Sequence, residues 1–149
     1  MITKLGKENL EKEIKNLQKE LERTYKQRNE AAAEGDLKEN SAYIFMGERA
    51  IVLNSQISEA IDDLKQAVVQ LAPTQCEIIS FGHQVSLCFE DDQRNMIITL
   101  VGKNDARLKK DWISINSPIG EALLGKKKLD KIIINDQTIA ITDISIGKI

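Results

Sequence analysis

Two carboxylates three residues apart, Asp36 and Glu39, follow a glycine that interrupts a long helical pattern. At positions i and i+3 they would lie on one side of the first turn of a helix. They could form a capping box, in which Asp36 accepts a hydrogen bond from a backbone amide and Glu39 reaches back. They could also share a divalent cation, because carboxylate oxygens are ligands that Mg²⁺ prefers. The spacing alone leaves both interpretations open.

The number of ligands restricts the metal interpretation. Mg²⁺ takes about six oxygen ligands in octahedral geometry and is usually held by one or two carboxylates together with water and phosphate. Asp36 and Glu39 cannot complete such a site, so a partner would have to supply most of the ligands. We therefore expect no metal to be bound by the isolated protein.

Composition and charge exclude several classes of protein. The chain has 149 residues and a net charge of −2, which leaves no basic surplus of the kind that binding to free nucleic acid usually requires. Its two cysteines, Cys76 and Cys88, form neither a disulfide framework nor a paired zinc motif. No apolar run approaches the roughly 20 residues that span a bilayer. We expect a soluble, cytoplasmic protein with reduced cysteines and no membrane partner.

The elements that must position the acidic pair are two long helices. Apolar residues recur with alternating spacings of four and three, as in a coiled-coil seam. The first seam comprises Leu10, Ile14, Leu17 and Leu21, and the second comprises Ile57, Ile61, Leu64, Val68 and Leu71. Both seams weaken toward Gly35, where the chain can reverse. The pattern predicts an antiparallel helical hairpin with an acidic tip at residues 34–40.

The spacing of the apolar residues changes near Pro73 from the helical period of about 3.5 to the strand period of about 2. Pro73 itself cannot continue a helix. Six strand-like runs follow, at residues 75–80, 83–90, 95–102, 113–116, 131–135 and 138–145, with one short helix at 118–124. Ser117 is the expected N-cap of that helix, and Pro118 takes its first position. The predicted fold is α+β, with a coiled-coil hairpin over residues 1–73 and a small antiparallel β domain with one short helix over residues 74–149.

Two segments resemble the signatures of one known family. EGDLKENSAY, residues 34–43, resembles the tip motif of the Gre transcript cleavage factors of bacterial RNA polymerase. SINSPIGEALLGK, residues 114–126, resembles their second signature, and Phe81-Gly82 and Val101-Gly102 fit the same pattern. The resemblance extends over nearly the whole chain in the same order.

The resemblance implies a function. The C-terminal domain of this chain would have an FKBP-like fold and would dock on RNA polymerase through residues that include Ser117, Pro118 and Ile119. The coiled coil would enter the secondary channel of the polymerase and stimulate Mg²⁺-dependent cleavage of the nascent RNA 3′ end in backtracked complexes. Asp36 would help to hold a Mg²⁺ supplied at the polymerase active site, and Glu39 would orient or deprotonate the attacking water. The factor itself would be a monomer and not an enzyme.

The resemblance also implies contacts of the tip with RNA, through Lys38, Asn40, Tyr43 and Arg49. The family commonly carries basic residues on the coiled coil near the tip, and the corresponding places here include Ala32 and Gly47. Lys38 and Arg28 could partly substitute, although Arg28 also fits a weak seam position. Tyr43 could equally be a seam residue.

Three apolar residues, Ile44, Phe45 and Met46, follow the tip motif. Three consecutive residues cannot all face one narrow helical seam, so at least one should be exposed.

Two other functions remain open. The chain could occupy the channel and inhibit or retune the polymerase without promoting cleavage. The stretch 41–49 would favour this, because it departs from the family pattern: the family usually carries Ala-Glu-Tyr where this chain has Ser41-Ala42-Tyr43. It could also be a coiled-coil adaptor for another protein, with Asp36 and Glu39 acting only as helix caps.

Overall fold

The computed structural model describes residues 1–35 and 40–149. They form two compact units, one comprising Glu8–Ala67 and the other Met1–Lys7 together with Val68–Ile149. The α+β fold class is confirmed: a helical hairpin is followed by a small sheet with one short helix. The first seven residues belong with the C-terminal unit, which the period change at Pro73 did not indicate.

The hairpin consists of α1, Lys4–Ala33, and α2, Ser41–Gln66. Of the predicted seam residues, Leu10, Ile14 and Ile57 are at most 9% exposed, whereas Ile61 and Leu64 are half-buried. Leu53 and Ala60, which the predicted seam did not include, are buried on α2. Nearer the turn a buried polar residue, Thr24, takes a seam position and donates to the Glu20 carbonyl at 2.9 Å. At about 1.5 Å per residue, α1 is roughly 45 Å long.

Helix α2 ends earlier than the seam predicted. Ala67 is already extended, and Val68 and Leu71 are 64% and 78% exposed, so the last two predicted seam residues are not in a helix. Residues 68–70 pair instead with the N-terminal segment. Ile2 donates to the Val68 carbonyl, and the Gln70 amide donates to the Ile2 carbonyl, both at 3.0 Å. These hydrogen bonds compete with continuation of the helix and replace it.

The sheet has five strands in the order β3-β2-β1-β5-β4. Their bounds are His83–Phe89 (β1), Arg94–Val101 (β2), Trp112–Ser114 (β3), Lys131–Ile134 (β4) and Gln137–Ile146 (β5). The neighbouring strands are antiparallel except β2 and β3, which are parallel, so the all-antiparallel expectation is wrong for this one pair. Asn135 and Asp136 both have positive φ, as expected for a tight hairpin turn between β4 and β5.

The short helix α3, Pro118–Leu123, packs on this sheet and begins as predicted, with Ser117 as N-cap and Pro118 in its first turn. The core beneath it is formed by buried apolar side chains of the sheet and the adjoining segments. Its members are Ile79, Phe81, Val85, Leu87, Phe89, Ile98, Leu100, Ile115, Leu123, Ile132, Ile139, Ile141 and Ile144.

The predicted strand at residues 75–80 does not form. Ile79 is buried, but its amide donates to the Lys126 carbonyl at 2.8 Å and its carbonyl accepts from the Gly125 amide at 3.0 Å. Its backbone is therefore paired with the segment that follows α3. The apolar side chain produced the strand-like pattern without a strand.

Two buried polar residues connect the C-terminal unit to its extended segments. His83 accepts from the Ser80 amide through Nδ1, and its Nε2 lies 3.2 Å from the Pro73 carbonyl, so both ring nitrogens have partners. Asp105 is fully buried and accepts hydrogen bonds from the Thr3 amide, the Thr3 hydroxyl and the Gly102 amide. The carboxylate of Asp105 thus fastens the N-terminal segment to the C-terminal unit.

Candidate functional site at the closed end of the helical hairpin

The described residues on either side of the turn, 28–35 and 40–47, form what we call the hairpin end. Here Asn40 connects the two helices. Its side-chain oxygen accepts from the Tyr43 amide at 3.1 Å, which makes it the N-cap of α2. Its side-chain nitrogen donates to the Ala31 carbonyl in the last turn of α1 at 2.6 Å. One amide side chain therefore caps α2 and also contacts the end of α1, where the Ala31 carbonyl accepts from the Glu34 amide as well.

Asp36, Lys38 and Glu39 lie outside the described residues, in the segment 36–39 that follows Gly35. The described residues nevertheless bear on the capping interpretation. Helix α2 begins at Ser41 and its N-cap is Asn40, so α2 does not take its cap from Asp36.

Arg28 and Tyr43 face each other across the hairpin end. The Arg28 Nη2 donates to the Tyr43 hydroxyl oxygen at 3.0 Å. The centre of the same guanidinium lies 4.4 Å from the centroid of the Tyr43 ring, within range of a cation–π contact. Both side chains are half-buried. Arg28 therefore occupies its seam position, as predicted, but does so with its charge directed at an aromatic residue of the other helix.

Gly47 provides the space for this contact. A Cβ atom at this position would lie 3.5 Å from the Cζ, Nε and Nη2 atoms of Arg28. That distance is ordinary van der Waals contact, so alanine would fit, whereas a longer side chain would compete with the guanidinium for the same volume. The family resemblance implied that a basic residue is missing at Gly47. The guanidinium of Arg28, which comes from α1, lies beside this position.

One donor of Arg28 has no partner among residues 1–35 and 40–149. Its Nε is buried and makes no hydrogen bond with the described part of the chain. An unpaired buried donor costs on the order of 1–3 kcal/mol.

Arg49 lies farther from the turn and forms an ion pair with Glu20 on the opposite helix. Both side chains are nearly half exposed, and a pair in such a position contributes about 0–1 kcal/mol. The guanidinium of Arg49 is thus directed across the hairpin toward α1.

The apolar run after the tip motif divides between two faces of α2. Ile44 and Phe45 are 48% and 61% exposed, whereas Met46 is half-buried, which confirms that the run cannot be hidden in the seam. Ile51 and Val52, one heptad farther along, are also exposed. Together they form an apolar stripe on the face of α2 that is opposite the buried residues Ala50, Leu53 and Ile57.

The second predicted site, Ser117, Pro118 and Ile119, lies at the start of α3. The Ser117 hydroxyl donates to the Ser114 carbonyl at 2.6 Å and accepts from the Gly120 amide at 3.2 Å. Pro118 is exposed, whereas Ile119 is half-buried and packs against the core. Of the three, Pro118 presents the most surface to a partner, and Ser117 fixes the local backbone.

Metal ligands are not gathered in the described part of the chain. Within residues 1–35 and 40–149, no group of three or more histidine, cysteine, aspartate or glutamate side chains is placed to hold a metal ion. In the same residues, no helix is both long enough and apolar enough to cross a membrane.

The fold belongs to the α+β class: a helical hairpin, with an acidic motif between its helices in the sequence, precedes a small mixed sheet. Comparison with known proteins identifies the family. A family model described as "Transcription elongation factor, N-terminal" matches residues 1–69, and one described as "Transcription elongation factor, GreA/GreB, C-term" matches residues 74–147.

Individual relatives agree with the family models. The chain is 36% identical to the transcription elongation factor GreA of Maridesulfovibrio salexigens over 135 residues, 90% of this chain and 84% of the relative. It is 37% identical to that of Rhodospirillum rubrum over 130 residues, 85% and 82% of the two chains. A solved structure, the GreA factor homolog 1 protein of Thermus thermophilus, aligns over 96% of both chains with 23% identity and a TM-score of 0.44. The chain belongs to the GreA/GreB family of transcription elongation factors.

Sequence reasoning missed the pairing of Arg28 with Tyr43, although a signal for it exists. The pair Arg28–Tyr43 and the pair Ala31–Asn40 are both centred on the junction between Gly35 and Asp36. An antiparallel register drawn outward from that junction would have placed Arg28 opposite Tyr43. The absence of a side chain at Gly47 would then have indicated where the guanidinium lies.

Proposed function

We propose that this factor binds RNA polymerase, inserts its hairpin through the secondary channel and stimulates cleavage of the nascent RNA 3′ end in backtracked complexes. The observation that carries the proposal is the position of Asp36 and Glu39 in the sequence, between two helices that Asn40 joins. Because Asn40 caps α2, the acidic pair is not needed for that purpose. Family membership supports the same assignment.

The ligand count supports cleavage as a shared activity. Two carboxylates fit the hard oxygen donors that Mg²⁺ requires, but they are too few to hold it without further ligands. A Mg²⁺ at the polymerase active site would supply the charge that stabilises the attacking and leaving oxygens of a phosphodiester. This chain therefore enhances the nuclease activity of the polymerase and is not a nuclease itself.

Each residue of the tip has a proposed task. Asp36 provides a carboxylate ligand, and Glu39 orients the attacking water or accepts its proton. Lys38, Asn40, Tyr43 and Arg49 contact the RNA or its surroundings. Among these, Asn40 also holds the ends of both helices, so its contribution includes positioning of the acidic segment.

Docking is assigned to the start of α3. Ser117 caps the helix, Pro118 is exposed beside it, and Ile119 ties it to the core. A rigid helix end on a small sheet gives a defined surface for the polymerase, independent of the tip chemistry.

Substitution of the acidic pair tests the proposal. Asp36→Asn removes the negative charge and weakens metal ligation, but asparagine caps helices about as well as aspartate. We expect Asp36→Asn and Glu39→Gln each to lower the rate of stimulated cleavage by at least about 100-fold, the range in which loss of a general base or metal ligand falls. Polymerase affinity should remain within about twofold, since docking lies on the other unit.

The matched control is Glu34→Gln, which removes an acidic charge from the same stretch but outside the pair. It should leave cleavage near the wild-type rate. Full activity of Asp36→Asn would contradict the ligand role. Tight binding of the wild-type factor without any cleavage would instead support the regulator that occupies the channel.

A further inference from the structure

The hydrogen bond between Arg28 and Tyr43 fixes the direction of the tyrosine hydroxyl. A guanidinium only donates, so the Tyr43 oxygen is the acceptor in this contact. The hydroxyl proton must then point away from Arg28 and remains available to an acceptor outside the pair. The positive charge beside the oxygen makes this hydroxyl a stronger donor.

The remaining contacts hold Tyr43 at both of its ends. Its backbone amide donates to Asn40, which also holds α1 through Ala31. Its ring and its hydroxyl lie against Arg28, in the space that Gly47 leaves open. Tyr43 is thus held in place at a position four residues after Glu39 in the sequence.

The charge of this pair points to the ligand. Within the described residues, the partner of the Arg28 guanidinium is the uncharged side chain of Tyr43, so its positive charge is not neutralised there. The segment that follows is acidic, with Glu30, Glu34, Asp36 and Glu39 against Lys38 alone. An RNA strand that reaches this segment is repelled by the carboxylates unless a nearby cation offsets them.

We propose that Arg28 is a positioning residue that directs the Tyr43 hydroxyl toward a phosphate oxygen of the extruded RNA, and that its charge assists that contact. The inference rests on the proposed function, because that function brings single-stranded RNA to the hairpin end. It assigns to α1 and α2 together a contact that neither helix makes alone. It also assigns a role to Gly47, since a larger residue would displace the guanidinium.

The test is equilibrium binding of the full chain to two RNA polymerase elongation complexes, with magnesium withheld so that RNA is not cut. One complex has the RNA 3′ end in the active register, and the other is backtracked by several nucleotides. The measured quantity is the ratio of the two dissociation constants. Far-UV circular dichroism of each variant reports whether the hairpin remains helical.

We expect Arg28→Gln and Tyr43→Phe each to reduce the preference for the backtracked complex about tenfold, as for the loss of one charge-assisted hydrogen bond. The double variant should lose no more of this preference than the more affected single variant, because the two residues form one contact. Arg28→Lys should restore part of the preference. Arg28→Gln should also flatten the salt dependence of the preference by about 0.7 in slope, as for one single-strand phosphate contact.

Matched controls lie on the same helix. Arg23→Gln removes one exposed positive charge, and Tyr25→Phe removes a hydroxyl that accepts from Asn54. Both should leave the preference unchanged. Gly47→Ala should do the same, whereas Gly47→Leu should act like Arg28→Gln.

The outcomes separate the inference from the proposed function. If the wild-type factor binds neither complex, the proposed function fails and the inference fails with it. If it prefers the backtracked complex but Tyr43→Phe keeps that preference, only the inference is overturned. Equal losses on both complexes would mean that Arg28 and Tyr43 contact the polymerase. Replacement of the extruded phosphates by neutral methylphosphonates should abolish the effect of Arg28→Gln, and an unchanged effect would exclude phosphate as the ligand.

Discussion

At the scale of single residues, Asn40 has two separable roles. Its oxygen caps α2, and its nitrogen donates to the Ala31 carbonyl of α1. Aspartate retains the first role, because it is an equally good N-cap, but it lacks the donor that the second role requires. Substitutions at this position can therefore distinguish capping of one helix from closure of the hairpin.

We predict that Asn40→Ala lowers the free energy of unfolding of the hairpin by about 1–2 kcal/mol and that Asn40→Asp lowers it by less. Thermal unfolding followed by circular dichroism at 222 nm measures both. Asn40→Asp should nevertheless reduce stimulated cleavage, since the side chain at position 40 no longer donates to the Ala31 carbonyl and no longer joins the two helices. Equal stability of all three proteins would show that the Asn40 contacts add nothing to the hairpin.

At the scale of elements, the N-terminal segment belongs structurally to the C-terminal unit. Ile2 pairs with residues 68–70, and Thr3 donates its amide and its hydroxyl to the buried Asp105. A fragment that begins at residue 74 loses all of these contacts and leaves Asp105 without its Thr3 partners. Loss of partners for a buried carboxylate is strongly destabilising.

We predict that a protein in which residues 8–67 are replaced by a flexible linker of about ten residues is more stable than the fragment 74–149. The difference in free energy of unfolding should be about 2–4 kcal/mol, measured with denaturant. Both proteins should bind polymerase if they are folded, and neither should promote cleavage. Equal stability would mean that the contact between Thr3 and Asp105 contributes nothing. As a control, Asp105→Asn in the linker protein should remove most of the advantage.

The sequence predicted the elements whose signals are local. The seams and the glycine near the turn identified the hairpin, and Ser117 with Pro118 identified the start of α3. It did not predict the elements that depend on distant partners. The pairing of Ile2 with residues 68–70 ends α2, and the bonds of Ile79 to Gly125 and Lys126 replace a predicted strand. Such pairings depend on long-range contacts, which no periodicity within a short window can show.

The same distinction applies to the candidate site. The acidic pair was predicted from its spacing and its motif, although residues 36–39 lie outside the described part of the chain. The contact between Arg28 and Tyr43 was not predicted, because the seam pattern of α1 alone does not show which residue of α2 faces Arg28. Its role follows from the facing helix and from the space at Gly47.

At the scale of the whole molecule, the two units have different proposed tasks. The C-terminal unit presents the start of α3 to the polymerase, and the hairpin carries the acidic segment and the Arg28–Tyr43 pair. This division explains why tip substitutions should change cleavage while leaving binding intact. A metal is expected only in the assembled complex, because two carboxylates are too few ligands to hold Mg²⁺.

The central claim is tested most directly by adding the wild-type factor and Mg²⁺ to a stalled, backtracked elongation complex whose RNA is labelled at its 3′ end. We predict that short labelled 3′ fragments are released and that the shortened transcript resumes elongation when nucleotides are added. Neither should occur when Mg²⁺ is withheld or when RNA is mixed with the factor but no polymerase. An intact 3′ end in the presence of bound factor and Mg²⁺ would contradict the account.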